Sequence, residues 1–218
     1  MLNSTENSND IFRGVNSKNT CVAWFKLAEL IAKKEKEKTL NLYRLIAHSF
    51  EDKAYVLQVE GDILWALQDD LAVERYNQAA FLYKKEKKFL SAAAIYEHII
   101  SLQPDNINNL KSLILVYLLL SWPEKFEFNF VNLIKNISKN LIDKNSVWDF
   151  AQNIITFSVS ANNLESKYFD KDILTNKKNI SEYKWVINSI NTIFKSQDSY
   201  LSDLLTQYCL DNNLDLNT

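Results

Sequence analysis

At 218 residues the chain can bury a sizeable core, in one elongated domain or two small ones. Its 47% hydrophobic and 24% charged residues exclude a disordered chain, and a net charge of −2 supplies no basic field to gather nucleic acid. Only two glycines and two prolines occur, too few for turn-rich β architecture, so an all-α fold joined by short polar turns is expected.

The first residues, 1–19, read as a flexible N-terminal tail in which Ile11 and Phe12 are the only substantial apolar pair. They lack the charged start and apolar run of a signal peptide, which leads to the expectation of a cytoplasmic protein; a mature chain already trimmed of an export signal would read the same. From about Thr20 the pattern turns helical. Trp24, Leu27, Ala28 and Ile31 recur at the three- and four-residue spacing of one buried face. Further helices are predicted near 39–50, 54–67, 71–85, 89–103, 106–121 and 124–140. Glu51-Asp52, Asp69-Asp70 and Pro104-Asp105-Asn106 stand between them, where turn and capping residues belong. Pro123 falls where the first turn of a helix tolerates it. The apolar run Leu113–Trp122 is about half the ~20 residues needed to span a bilayer, so it predicts a buried helix and no membrane span.

After about Asn145 a helix is expected over 145–160, a polar loop over 161–179, and two amphipathic helices. The first of these carries Ile180, Tyr183, Ile187, Ile190 and Phe194. The second carries Leu201, Leu204, Leu205 and Tyr208, behind a cap at Ser196 or Asp198. These helices are expected to cap the end of the fold; heptad-like spacing also allows a homodimer through 180–210. The lysine runs 33–38 and 84–88 are mixed with glutamates and sit near helix ends, where cations are favourable. Abundant Lys and Asn with little Arg fit the codon bias of an AT-rich bacterial genome.

Even spacing of short helices invites a search for repeats. The strongest unit runs from Val73 to Asn106. Its first helix holds Tyr76, Ala79, Ala80 and Tyr83, its second Ala92, Tyr96 and Ile99, and Pro104 closes it. This pattern resembles the tetratricopeptide repeat. The frame continues through Leu110, Leu113, Ile114 and Tyr117 to Phe126, Phe130 and Leu133. It extends back through Tyr43, Ile46, Ala47 and Phe50 to Val59, Ile63 and Ala66. Ile114, Phe126 and Leu71 depart from the family's small residue, alanine and proline. A second frame, pairing 54–67 with 71–85, competes.

The resemblance covers about residues 40–140. It implies an α-solenoid of antiparallel helical hairpins over 20–142, with 143–218 as a C-terminal helical cap. It further implies that the first helix of each hairpin lines a concave groove. By the motif's spacing the groove residues are Glu74, Asn77, Phe81 and Lys84 in the best unit. In the unit before they are Asn41, Arg44 and His48, and in the unit after Asn108, Lys111, Leu115 and Leu118. Family members that clamp chaperone carboxylates use a Lys–Asn pair, then Asn, then basic residues; here Arg44 and His48, Gln78, and Asn108 and Ser112 stand instead. Co-chaperone activity is therefore not expected.

Nothing in the sequence marks catalysis. His48 and His98 lack metal-ligand spacing, Cys21 and Cys209 are isolated, and Gly14 and Gly61 are too far apart for a phosphate loop. The expected function is a non-catalytic protein–protein interaction module, a scaffold or adaptor, with no cofactor or metal. The alternative is a structural subunit of an envelope- or motor-associated complex that uses its outer helical faces.

Overall fold

The computed structural model describes residues 17–159, 184–214 and 216. Among these the protein forms ten α-helices and no strand. They are α1 (Ser17–Ala32), α2 (Lys36–Ala47), α3 (Lys53–Ala66), α4 (Leu71–Lys85), α5 (Phe89–Leu102), α6 (Ile107–Leu119) and α7 (Pro123–Ser138), followed by α8 (Lys144–Val159), α9 (Lys184–Gln197) and α10 (Ser199–Asp211). No described helix is long and apolar enough to cross a membrane. The expected loop at 161–179, with Ile180 and Tyr183, lies outside the described residues, as does the expected tail before Ser17. Ser17, Lys18 and Asn19, expected in that tail, belong to α1.

The chain divides into two compact units, Met1–Arg75 and Tyr76–Thr218. In the first, α1 packs on α2 and α2 on α3. Leu27, Tyr43, Ile46 and Ile63 form its core, with Trp24, Ile31, Phe50 and Val59 against them. The periodicity located this face, but α2 begins at Lys36 rather than 39 and ends at Ala47 rather than 50. Lys36, Glu37 and Lys38 contribute no apolar period, so the first turn is invisible to it. Tyr43 pays no penalty for its buried hydroxyl, which donates to the Val56 carbonyl at 2.6 Å. Arg75 Nε, 3.1 Å from Glu60 Oε1, ties the start of α4 to α3.

In the second unit the described helices from α5 on meet their neighbours, and several also reach the helix two further along. Tyr76 of α4 sits edge-on to His98 of α5, with centroids 5.0 Å apart. Helix α5 packs on α6, α6 on α7, and α7 on α8 and α9; α8 also meets α9 and α10, which pack on each other. The contacts two helices apart are specific. Glu97 of α5 pairs with Lys125 of α7 at 3.0 Å, and Lys111 of α6 lies over the Phe150 ring of α8. Phe126 and Phe130 of α7 meet Trp185 and Phe194 of α9, while Trp148 of α8 meets Tyr208 of α10. Ala79, Ala80, Ala92 and Ala93 are buried where small side chains permit close helix approach.

Helix ends are handled in two ways. Asp52, Asn106 and Asp198 are N-caps that accept from the backbone N–H three residues on, so Asp198 rather than Ser196 starts α10. Six helices end with a residue in the left-handed region: Lys34, Gln68, Lys87, Ser121, Asn140 and Asn213, with φ between 53° and 60°. Each closes the paired hydrogen bonds of a Schellman turn. In α6, Ser121 N–H reaches Leu118 O at 3.0 Å and Trp122 N–H reaches Tyr117 O at 3.1 Å. None of the six is glycine. Gly61 is instead buried inside α3.

Candidate functional site

Among the residues expected to line a groove, Arg44, His48 and Glu74 fall in the first unit. Helix α2 buries Thr39, Tyr43 and Ile46, which leaves Asn41, Arg44 and His48 on its exposed side. Arg44 Nη1 donates to Asn41 Oδ1 at 3.2 Å, one helical turn away. Glu74 is exposed beside a polar hollow lined by Lys36, Gln68, Asp69, Asp70 and Leu71. Lys36 pairs with Asp69, whose other partner is the Leu71 N–H at 3.0 Å. The Lys36 ammonium, with that N–H, holds the Asp69 carboxyl below the usual carboxylate range. Two of the charges lining the hollow, Lys36 and Asp69, are thus engaged in joining the starts of α2 and α4.

Asn77, Phe81, Lys84 and Lys111 fall in the second unit. The first three share one side of α4, because Tyr76, Ala79, Ala80 and Tyr83 occupy its buried side. Phe81 is 46% exposed, and Asn77 and Lys84 are half-buried beside it. Lys84 Nζ lies 5.6 Å from the centroid of Tyr96, so its ammonium is held over a ring rather than swinging in solvent. Lys111 is similarly held, 5.4 Å from the Phe150 centroid.

The expected strip on α6 does not stay open. Asn108 is exposed and Lys111 half-buried, but Leu115 and Leu118 are 7% and 0% exposed. Leu113 through Leu118 form an unbroken buried run. A helix apolar on every side is enclosed on every side, so a spacing that assigns two of its leucines to an outer face fails there. Those leucines are core.

Two features were not foreseen. One is a polar cluster joining three helices: the Tyr117 hydroxyl of α6 and Lys125 of α7 both donate to Glu97 Oε1 of α5. Burial pushes the Glu97 carboxyl up, but the Tyr117 hydrogen bond and the Lys125 charge outweigh it and hold it below its ordinary range. Burial, then Glu97, pushes the Tyr117 phenol up. Partners 20 and 28 residues apart leave no local sequence signal. The other is which single large apolar side chains stand exposed, among them Leu90 of α5 at 61% and Phe128 of α7 at 65%. Leu90 directly follows Phe89 and Phe128 stands between Phe126 and Phe130, so in the sequence each reads as part of an apolar pattern.

The nucleophiles and ligands stand apart. His98 packs on Tyr76, His48 is exposed, and Cys209 is buried with its thiol pushed up by desolvation. Among the described residues no group of three or more His, Cys, Asp or Glu side chains is arranged to hold a metal ion. No family model matches the chain, and no curated protein or solved structure matches it.

Proposed function

We propose that the protein is a non-catalytic interaction module, a scaffold or adaptor of tetratricopeptide-like construction, that holds a segment of a partner protein against the outward side of α4. The observation that carries this reading is Phe81. Every other aromatic of α4 is buried, whereas Phe81 stands 46% exposed between Asn77 and Lys84. A large apolar side chain flanked by oriented polar groups is the usual composition of an anchor site for a protein partner. The solenoid part of the proposal is supported by the second unit's pattern, in which α5 packs on α6, α6 on α7 and α7 on α8, with side-chain contacts linking α5 to α7, α6 to α8, α7 to α9 and α8 to α10. Stacked antiparallel hairpins produce that pattern. Within the second unit Lys111 of α6 would add to this side; Arg44, His48 and Glu74 are the corresponding candidates of the first unit, taken by itself. The partner is a protein: a charge of −2 offers nucleic acid no attraction, and no cofactor or metal is invoked. A cytoplasmic location agrees with this reading.

A second reading is favoured by Leu90 and Phe128, which are more exposed than Phe81. In it the protein is a structural subunit contacting its complex through outer faces. Self-association through 180–210 has less to work with, because Val186, Ile190, Ile193 and Phe194 of α9 and Leu201, Leu205 and Cys209 of α10 are buried within the chain. A photo-crosslinking residue placed at Phe81, Leu90 or Phe128 in the native cell separates the readings. A single discrete adduct formed from position 81 and absent from 90 and 128 supports the α4 site. Adducts from 90 or 128 alone overturn it in favour of outer faces.

A further inference from the structure

Helix α9 carries an uncommon polar load for a buried helix. Trp185 Nε1 and Asn191 Oδ1 are shut off from solvent without a hydrogen-bond partner, and among the described residues no other helix holds such an atom. Asn191 as a whole is 7% exposed. Ser189, also buried, donates to Glu127 Oε1 of α7 at 2.5 Å. Around these polar groups the contact is aromatic. Trp185 stands edge-on to Phe126 at 5.2 Å and Phe194 edge-on to Phe130 at 6.0 Å, while Phe130 stacks on Phe150 of α8 at 6.1 Å. An N–H against a ring is only a weak substitute for a hydrogen bond. An unpaired polar atom penalises the packed state alone, since water satisfies it as soon as the contact opens. The docked position of α9 is therefore penalised twice, while α5, α6 and α7 carry no such atom among the described residues.

Helix α9 passes into α10 across the single residue Asp198, and the two helices pack on each other. Beyond that, α9 is seated on α7 and α8, and α10 on α8. The α10 contacts are few and partly polar: Trp148 with Tyr208 at 5.8 Å, Thr156 Oγ1 with the Tyr208 hydroxyl at 3.0 Å, and Lys144 Nζ with Asp198 Oδ2 at 2.6 Å. The geometry points to α9–α10 as a lid that opens as one body while α5–α7 stay folded, baring Phe126 and Phe130. Its closed form keeps two polar atoms dry and unpaired; its open form wets both and exposes the two rings. Local opening of this kind is drawn from the least stable part of a fold, and here the unpaired atoms identify that part. The inference stands independently of the interaction site on α4.

Native-state hydrogen exchange of the full chain, read by peptide, tests it. Amides of α9 and α10 should exchange with a common opening at least about tenfold faster than the slowest amides of α5–α7. Asn191→Leu keeps the branching of the side chain and removes the unpaired oxygen. It should slow α9 and α10 together by about tenfold and leave α5–α7 unchanged, since an unsatisfied buried group penalises the closed state alone. Asp198→Ala removes an N-cap and the Lys144 pair at the rim, where folding of the rest is not at risk. It should speed α9 and α10 together. The lid is refuted if α9–α10 exchange no faster than α5–α7 in the unaltered protein. It is equally refuted if Asp198→Ala moves α10 without α9, or if a folded Asn191→Leu protein leaves the exchange of α9–α10 unslowed.

Discussion

Replacing Ser121 by glycine is expected to stabilise the protein. Ser121 has φ 53° at the end of α6, and its N–H and that of Trp122 close the Schellman turn onto Leu118 and Tyr117. A residue with a Cβ in this region is disfavoured by about 1–2 kcal/mol. Glycine removes that cost but adds freedom to the unfolded chain, which costs about 0.4–1 kcal/mol. The difference favours the glycine variant by about 0.5–1 kcal/mol. For a protein of this size about 1 kcal/mol moves the midpoint by about 2–4 °C, so a rise of about 1–4 °C in a circular-dichroism melt is expected. Gln68→Gly, at φ 59° after α3, should behave alike. Asn140→Gly should gain less, because asparagine tolerates the left-handed region. Ser121→Ala keeps the Cβ and serves as the control that removes only the hydroxyl. A lower melting temperature for Ser121→Gly, or a gain matched by Ser121→Ala, would refute the reasoning.

Three further outcomes follow from the packing and charge. Ala92, fully buried at the approach of α5 to its neighbours, should not accept leucine; Ala92→Leu should cost about 1–3 kcal/mol of overpacking in urea denaturation, and an unchanged midpoint would mean the site is loosely packed. Tyr117→Phe removes one of the two donors to Glu97 and should cost about 1 kcal/mol, with the companion Glu97→Gln showing whether the remaining Lys125 contact depends on charge. Burial raises the Asp198 carboxyl, but the Lys144 ammonium and the Leu201 N–H outweigh it, so its folded value is depressed. Such a group contributes stability that is present above the unfolded value near pH ~4 and is lost as pH falls through the folded value. The denaturation midpoint should therefore fall on acidification below about pH 4. Asp198→Asn should flatten that slope, and an unaltered slope would show that the Lys144 pair contributes nothing.

Much of the helical framework was legible because one periodic signal dominates each segment. Leu27, Tyr43, Tyr76, Ala92 and Phe130 are all core, as three- and four-residue spacing implies. Asp52, Asn106 and Asp198 announce helix starts through their chemistry. Helix ends were less readable: Lys34, Gln68, Lys87 and Ser121 occupy positions that glycine usually marks, and none of them signals a left-handed turn. Within the candidate site, the exposed side of α4 with Phe81 follows from the same spacing that buries Tyr76 and Tyr83. The matching side of α6 does not, because Leu115 and Leu118 belong to a run apolar all round, where periodicity carries no direction. The Lys36–Asp69 and Lys144–Asp198 pairs join residues more than thirty positions apart, and only the folded chain reveals them.

The central claim, that the outward side of α4 holds the partner, is tested most directly by comparing three proteins in quantitative affinity capture from the native organism. These are the unaltered chain, Asn77→Ala/Lys84→Ala, and Leu90→Ser/Phe128→Ser. The α4 pair is half-buried at the surface, with Lys84 over the Tyr96 ring, so its loss should cost no more than about 1 kcal/mol. The account predicts that the α4 variant melts within a few degrees of the unaltered chain and loses at least about tenfold of its specific partner. The Leu90/Phe128 variant should retain that partner. An α4 variant that keeps the partner while the Leu90/Phe128 variant loses it would contradict the account and assign binding to the outer faces.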